Sequence, residues 1–289
     1  MKNKFIIGIT LFVIIGIAVC LIYILLNLKE EKTNNKVDNT QNVTSNVDNN
    51  ENVNLEENEK NEEIDIALNS KIGVQILRYI DIAIDSPYSD ELYQEIEKSG
   101  LSNKAKVMYT YLIATNDTTY SEYVIPLEDS SGSYINVNDF ENIAKDIFGN
   151  DVKLTHETVF GDENYDMQNS RYLNLPMGFP GSDFNYTYDI PYKIKQVGDT
   201  YEAYMYRLYI TEKFSGEENE GSMSVNIYKD SGRINKLATI SDNNFFESEN
   251  KKEYLKNKID AGNIKKESLK VVKYTLKKVN DKYYLENIE

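Results

Sequence analysis

The feature that most constrains this chain is an uninterrupted apolar segment near its N-terminus. Residues 5–28 contain no charged side chain. At about 1.5 Å per residue, a helix of this length exceeds the roughly 30 Å hydrocarbon core of a bilayer. A cleavable signal peptide has a shorter apolar region followed by a small-residue cleavage site. Lipoprotein-type cleavage before Cys20 is also disfavoured, because bulky Val19 precedes it. We therefore predict an uncleaved transmembrane anchor in residues 1–29.

The lysines that flank the apolar segment leave its orientation nearly balanced. Lys2 and Lys4 lie on one side, and Lys29, Lys32 and Lys36 lie on the other. The positive-inside rule counts lysine and arginine, so this distribution alone does not decide the topology. A short N-terminal tail before a large C-terminal region is typical of a signal-anchor. We predict a single-pass protein of the cell membrane whose C-terminal domain is extracytoplasmic.

Residues 30–63 have the composition of a disordered linker. Eleven asparagines fall between positions 34 and 61, glutamate is frequent, and no aromatic residue occurs there. Such a segment buries too little apolar surface to offset the entropy of ordering it. As a flexible coil it has an r.m.s. reach of roughly 30 Å. We interpret it as a spacer between the anchor and a domain in residues 64–289.

Charge and motif content exclude several functional classes. The chain has 47 acidic and 32 basic residues, a net charge of -15. Phosphate backbones repel such a surface, so no nucleic-acid partner is expected. The single cysteine lies in the apolar segment, which excludes an intramolecular disulfide and a Cys-rich zinc site. Dinucleotide, P-loop and nucleophile-elbow motifs are absent, so no cofactor is expected.

The apolar periodicity of residues 64–289 changes from helical to strand-like along the chain. Helical spacing comes first, and alternation with hairpin turns follows. Predicted helices cover 68–84, 89–100, a segment after Ser102, 138–148 with Asn138 as N-cap, and 249–259; predicted strands cover 152–160, 192–211, 223–238 and 272–288. This order predicts an α+β fold with an antiparallel sheet. It also allows a helical part, 64–150, and a β-rich part, 151–289.

The histidine and acidic content limits the possible catalytic chemistry. His156 is the only histidine, and it lies on the apolar face of the predicted strand. We expect it to be buried and hydrogen-bonded, and we predict no catalytic residue. Any Ser-His-Asp or Cys-His arrangement requires this histidine. Paired carboxylates of a glycosidase type remain available among so many acids. A carboxylate-dependent cell-envelope hydrolase therefore stays the alternative to a binding function.

Three alternating polar residues resemble the start of a calcium loop. These are Asp162, Asn164 and Asp166. An EF-hand requires glycine at position six and glutamate at position twelve of the loop. Met167 and Leu173 occupy those positions, which excludes an EF-hand. A looser calcium site and a solvated loop both remain open interpretations.

Residues 175–192 are the most unusual stretch of the domain. They contain three of the five prolines and two glycines, and five aromatic residues, Phe179, Phe184, Tyr186, Tyr188 and Tyr192. Proline stiffens a loop, and aromatic side chains are enriched in interface cores. Two interpretations remain open: a recognition loop for an envelope protein or peptide, and a loop whose aromatic rings close over the sheet.

The C-terminus resembles that of one loosely defined group of proteins. Residues 274–278 (YTLKK), a turn, and residues 283–286 (YYLE) carry the resemblance. The chain is similar here to membrane-anchored extracytoplasmic proteins of Gram-positive bacteria, which also share the order of anchor, Asn/Glu-rich linker and α+β domain. The resemblance implies an extracytoplasmic location and no assigned activity.

Overall fold

The architecture is α+β, with helices packed on antiparallel sheets, as the periodicity predicts. The computed structural model describes residues 63–82, 86–128, 131–161, 164–175, 183–215, 222–241 and 243–289. Among these residues, no helix is both long and apolar enough to cross a membrane. The predicted anchor, and the predicted linker up to residue 62, lie outside the described residues.

The described part of the chain contains six α-helices and eleven strands. The helices are α1 (Lys71–Ile80), α2 (Pro87–Ser99), α3 (Asn103–Asn116), α4 (Val137–Phe148), α5 (Asn243–Phe246) and α6 (Lys251–Asp260). The strands are β1 (Glu63–Ile66), β2 (Ile125–Pro126), β3 (Ser133–Asn136), β4 (Tyr165–Asp166), β5 (Arg171–Asn174), β6 (Asp183–Val197), β7 (Thr200–Ser215), β8 (Ser222–Tyr228), β9 (Lys236–Ile240), β10 (Lys270–Val279) and β11 (Lys282–Ile288).

Serine caps begin the first three helices. The hydroxyl oxygens of Ser70, Ser86 and Ser102 each accept a hydrogen bond from a backbone N–H of the first turn. The fourth helix differs from the prediction. Its N-cap position is Asn136, without a side-chain hydrogen bond, so the assignment of Asn138 as the cap is wrong. The first helix is also shorter than predicted, because it ends at Ile80.

Residues 152–159 form no strand, so the strand predicted for 152–160 is wrong. Side-chain amides, not a neighbouring strand, bind the backbone of this segment. Asn103 Oδ1 accepts from Thr155 N at 2.7 Å, and Asn103 Nδ2 donates to Thr155 O at 2.8 Å. Asn164 Oδ1 accepts from the backbone N–H groups of Val159 and Phe160. Alternation of apolar residues could not show that this segment lacks a strand partner.

A long hairpin of β6 and β7 organises the larger sheet. It turns at Gly198-Asp199, as predicted. The first half of β7 pairs with β10 and the second half pairs with β8. The sheet then continues to β11 on one side and to β9 on the other, while β1 pairs with the end of β6. A smaller sheet has the order β2-β3-β5-β4.

A bulge in β6 transfers its buried side chains from one face to the other. Pro191 pairs with Met205 and Lys193 pairs with Tyr204, so Tyr192 is the extra residue. Because side chains alternate along a strand, one extra residue exchanges the two faces. Ile190 consequently belongs to a different core from Ile194.

Two apolar cores lie on opposite faces of this strand. The first core joins residues of α1–α4 with β10, β11 and the beginning of β7. The second core joins α5 and α6 with β8, β9 and the first half of β6. Since the first core includes residues from both 64–150 and 151–289, the helices and strands on either side of that division bury one another.

Candidate functional site

The five aromatic residues predicted to form a recognition loop lie in different environments. Residues 183–192 belong to strand β6, so the loop assignment is wrong for that part. Tyr186 and Tyr188 are 0% and 2% exposed in the second core, where alternation along the strand places them. Phe184 is partly buried against the same core. Phe179 lies outside the described residues. Of the four that the structure describes, only Tyr192 is exposed, at 36%.

Tyr192 is part of an aromatic stack on the open face of the sheet. Its ring lies 4.1 Å from that of Tyr206, centroid to centroid, with 13° between the ring planes. The ring of Tyr204 lies 6.4 Å away. Val271, on the neighbouring strand, is paired with Tyr206 and is 47% exposed. We call these four residues the tyrosine platform.

Charged residues border the tyrosine platform. Tyr204 Oη donates to Glu202 Oε2 at 2.6 Å, and Lys273 Nζ donates to Glu202 Oε1 at 3.2 Å. The hydrogen bond from Tyr204 lowers the pKa of Glu202, and the same bond raises the pKa of Tyr204. Partial burial, with the neighbouring Tyr206 phenol, raises the pKa of Tyr192. The phenols of Tyr192 and Tyr204 are therefore neutral near pH 7, and the platform has an apolar centre with a charged border.

A second polar cluster is fully enclosed and is unsuited to binding a ligand. Arg207 and Asp189 lie opposite each other on β7 and β6, and form two hydrogen bonds of 2.8 and 2.7 Å. Tyr274 Oη donates to Asp189 Oδ2 at 2.5 Å. The Arg207 guanidinium lies 4.2 Å from the centroid of the Tyr93 ring. Burial opposes the charge of Arg207, but the Asp189 carboxylate raises its pKa above the ordinary value. Arg207 and Asp189 are 1% and 0% exposed, so their role is structural.

His156 is hydrogen-bonded, as predicted, but it is partly rather than fully buried and does not lie in a strand. Its Nδ1 lies 3.2 Å from Tyr172 Oη, and its Nε2 lies 3.2 Å from Glu141 Oε1. Its ring stacks on Tyr165. With 15% of the side chain exposed and both nitrogens within hydrogen-bonding distance of protein atoms, the histidine connects α4 to the small sheet.

The residues of the possible calcium site have other partners. Asn164 is buried, and its Oδ1 accepts the two backbone hydrogen bonds described above. Asp166 accepts from Asn169 and from Arg171, and these bonds lower its pKa. Asp162 lies outside the described residues. Among the residues that the structure describes, no three His, Cys, Asp or Glu side chains gather in a metal-binding arrangement.

The hydrolase interpretation requires a carboxyl group of raised pKa beside a second carboxylate. Within the described ranges, Glu91 has a raised pKa, mainly because of desolvation, while Lys104 lowers it. The adjacent Asp90 accepts hydrogen bonds from Gln94, Thr187 and Arg233, and so has a structural role. No observation in this region favours a hydrolase.

The sequence contains part of the signal for the tyrosine platform. Tyr204 and Tyr206 are two positions apart on a predicted strand, so the sequence alone indicates that they share one face of the sheet. The stacking of Tyr192 on them depends on the bulge. Val271 follows Arg207 by 64 positions in the sequence, and it joins the platform only because β10 pairs with this part of β7. No protein-family model, curated protein or solved structure matches this chain.

Proposed function

We propose that this chain is a single-pass, membrane-anchored binding module whose extracytoplasmic domain contacts an envelope protein or peptide through the tyrosine platform. The apolar residues 5–28 support the anchor, and the Asn/Glu-rich residues 30–63 support a spacer that lets the domain reach a partner. The observation that carries the binding function is the exposed Tyr192 ring stacked on Tyr206.

The chemistry of the platform favours contact with a protein. The solvated face of an antiparallel sheet is normally polar, so clustered aromatic and aliphatic side chains on it are informative. Tyrosine supplies a large apolar area with few rotatable bonds, and it is enriched among residues that dominate binding energies. The charged border around Glu202 and Lys273 matches the polar rim of a typical interface.

The backbone geometry also suits recognition. The four platform residues lie on paired strands, whose positions are determined by the registers of β6, β7 and β10. Side chains held on strands keep their positions more precisely than those on loops. Binding therefore requires little ordering of the platform, which lowers the entropic cost of association.

The proposal is tested by photo-crosslinking in intact cells, with the full-length chain and a photoreactive residue in place of Val271. We expect one discrete protein adduct, formed by a protein of the cell envelope. The adduct should weaken at least tenfold when Tyr192→Ala or Tyr206→Ala is added. Ile234, 82% exposed in the turn between β8 and β9, is the control position.

Equal adducts from positions 271 and 234, or an adduct unaffected by both alanine substitutions, would overturn the assignment of the platform. An adduct with a cytoplasmic protein would overturn the extracytoplasmic topology. Each variant is compared with wild type by circular dichroism, since Tyr206 also packs against the second core.

A further inference from the structure

The arginines of this chain share a common environment. All four form an ion pair with an aspartate, and three of them also lie over a tyrosine ring, 4.2–5.0 Å from the ring centroid. A guanidinium is planar, so it can stack on an aromatic face while its N–H groups donate to a carboxylate. These three sets are Arg78 with Tyr79 and Asp117, Arg171 with Tyr134 and Asp166, and Arg207 with Tyr93 and Asp189. A tyrosine beside a carboxylate is therefore the arginine-binding unit of this fold.

The tyrosine platform presents the same unit at the surface. Tyr206 covers one face of the Tyr192 ring, and 36% of Tyr192 remains exposed. The Tyr204 ring lies 6.4 Å from Tyr192, and its hydroxyl donates to Glu202 Oε2 at 2.6 Å. Because Glu202, Tyr204 and Tyr206 are at alternate positions of β7, the carboxylate and the rings share one face of the sheet. The four arginines of the chain are bonded to aspartates elsewhere, so a guanidinium on this unit would come from a partner.

The carboxylate of this unit has room for a further donor. Glu202 is 22% exposed, and its Oε1 accepts from Lys273 at 3.2 Å. Lys273 has a shorter bond, of 2.6 Å, to Glu289. The other lysine near Glu202, Lys195, is bonded to Glu63. Both lysines thus have another carboxylate partner. The two hydrogen bonds to Glu202 occupy two of the roughly four lone-pair positions of a carboxylate.

We propose that the tyrosine platform binds an arginine side chain of the partner protein, which stacks on the tyrosine rings and donates to Glu202. This inference rests on the proposed function, because it names the side chain that the partner places on the platform. The net charge of -15 attracts a cationic segment. A guanidinium is less strongly hydrated than an ammonium and is the better cation for an aromatic surface.

The probes are three synthetic peptides, Ser-Gly-Ala-Xaa-Ala-Gly-Ser, in which Xaa is arginine, lysine or citrulline. Lysine has the same charge as arginine, and citrulline has nearly the same planar shape without the charge. The full-length chain in detergent carries a photoreactive residue in place of Val271, and the adduct is measured against peptide concentration. We expect a saturable adduct with the arginine peptide, at a half-saturating concentration roughly tenfold lower than for the other two.

Two matched substitutions in the protein assign this preference to the platform. Glu202→Gln removes the charge but keeps an acceptor for the Tyr204 hydroxyl, and it should abolish the preference for arginine over citrulline. Glu122→Gln removes the same charge at an exposed position between Tyr120 and Tyr123 of the first core, and it should leave the preference unchanged. Tyr192→Ala should raise the half-saturating concentration of the arginine peptide roughly tenfold.

Equal adducts from the three peptides, or an arginine preference that survives Glu202→Gln, would overturn the proposal. Equal losses in Glu202→Gln and Glu122→Gln would reduce the effect to general attraction by an acidic chain and would also overturn it. The crosslink to a protein in intact cells separates this inference from the proposed function. A partner adduct at position 271 that Glu202→Gln does not weaken would overturn the arginine assignment and leave the platform as the binding surface.

Discussion

Two unpaired stretches of strand in the larger sheet differ in how their edges are completed. The first half of β6 pairs with β7 on one edge; on its other edge no described strand lies beside it, but α2 packs there. Ser89 Oγ accepts a hydrogen bond from Thr187 N at 3.2 Å, and Thr187 Oγ1 donates to Asp90 Oδ1 at 2.7 Å. At β9, the corresponding edge lines an open groove, whose walls are residues 238–241, Lys258, Asn263 and Ile264.

This difference separates an edge that a helix covers from one that faces a groove. An exposed edge is a template for pairing with another chain, and covering it with a helix removes that template. Around β6, Arg233 also donates to Asp90 at 2.8 Å, and so connects the β8–β9 turn to the helix that covers the edge. The residues that line the β9 groove include no comparable cluster of acidic and basic groups.

The largest expected loss of stability comes from a substitution beneath the β6 edge that α2 covers. Asp189→Ala removes the two short hydrogen bonds to Arg207, which is 1% exposed, and leaves that guanidinium only the longer 3.5 Å contact with the carboxylate of Glu97. Removing one member of a buried ion pair typically costs about 3–5 kcal/mol of unfolding free energy. Urea denaturation measures the loss. Lys193→Ala, which removes an ion pair with exposed Asp65, is the control and should cost about 1 kcal/mol or less. Similar losses in both variants would contradict the structural role of the Asp189–Arg207 pair.

A direct test of the comparison removes one hydroxyl at each edge. Ser89→Ala leaves the buried backbone N–H of Thr187 unpaired and should cost about 1–3 kcal/mol. Thr239→Ala, on β9, removes an exposed hydroxyl that donates to Asn226 Oδ1 on β8. It should cost about 0.5–1.5 kcal/mol, the net value of an ordinary hydrogen bond. If the order of the two losses is reversed in chemical denaturation, the β6 edge does not depend on Ser89.

The contact between Lys252 and Asp81 predicts that the stability of the fold depends on pH. Lys252 of α6 contacts Asp81, which follows α1, so the pair connects helices of the two cores. Burial lowers the pKa of Lys252 to about 7, while the Asp81 carboxylate favours the charged form. Between pH 7 and about 10, the unfolded chain then binds more protons at this lysine than the folded chain, so the contribution to stability rises with pH.

Lys252→Met should remove that rise. We expect the wild-type free energy of unfolding to gain about 1–2 kcal/mol relative to the variant between neutral pH and pH 9, since Asp81 offsets part of the effect of burial. Parallel urea titrations of both proteins measure the difference. A difference that is constant with pH would show that Lys252 keeps its proton in the folded chain.

The smallest expected effect is that of a charge at the open edge. Thr239→Lys loses the same hydroxyl hydrogen bond as Thr239→Ala, and a change of side chain at an exposed position typically alters stability by about 0.5 kcal/mol or less. We therefore expect the free energies of unfolding of these two variants to differ by no more than that. Urea denaturation of both variants measures the difference, and a larger loss in the lysine variant would contradict the exposure of position 239.

Local patterns predicted the elements that depend on neighbouring residues. The hairpin turns at Gly198-Asp199 and Asn280-Asp281 are confirmed, as are the β8–β9 hairpin and the lysine-rich helix near 249–259. These features depend on turn residues, caps and periodicity, whose effects extend over a few positions. The loop assigned to residues 175–192 failed from residue 183 onward, because proline and glycine near positions 176–181 outweighed the alternation of Tyr186, Tyr188 and Ile190.

The α+β class, the helix that starts after Ser102 and the antiparallel hairpins follow from the amino-acid sequence alone, because short-range sterics and alternation specify them. The tertiary structure decided which polar groups meet. Thr187 bonds to Ser89 across 98 positions, Tyr274 bonds to Asp189 across 85, and one bulge residue places Tyr192 on Tyr206. Such contacts depend on strand register and on layer packing. A one-residue shift in register alone reverses the face of every side chain that follows.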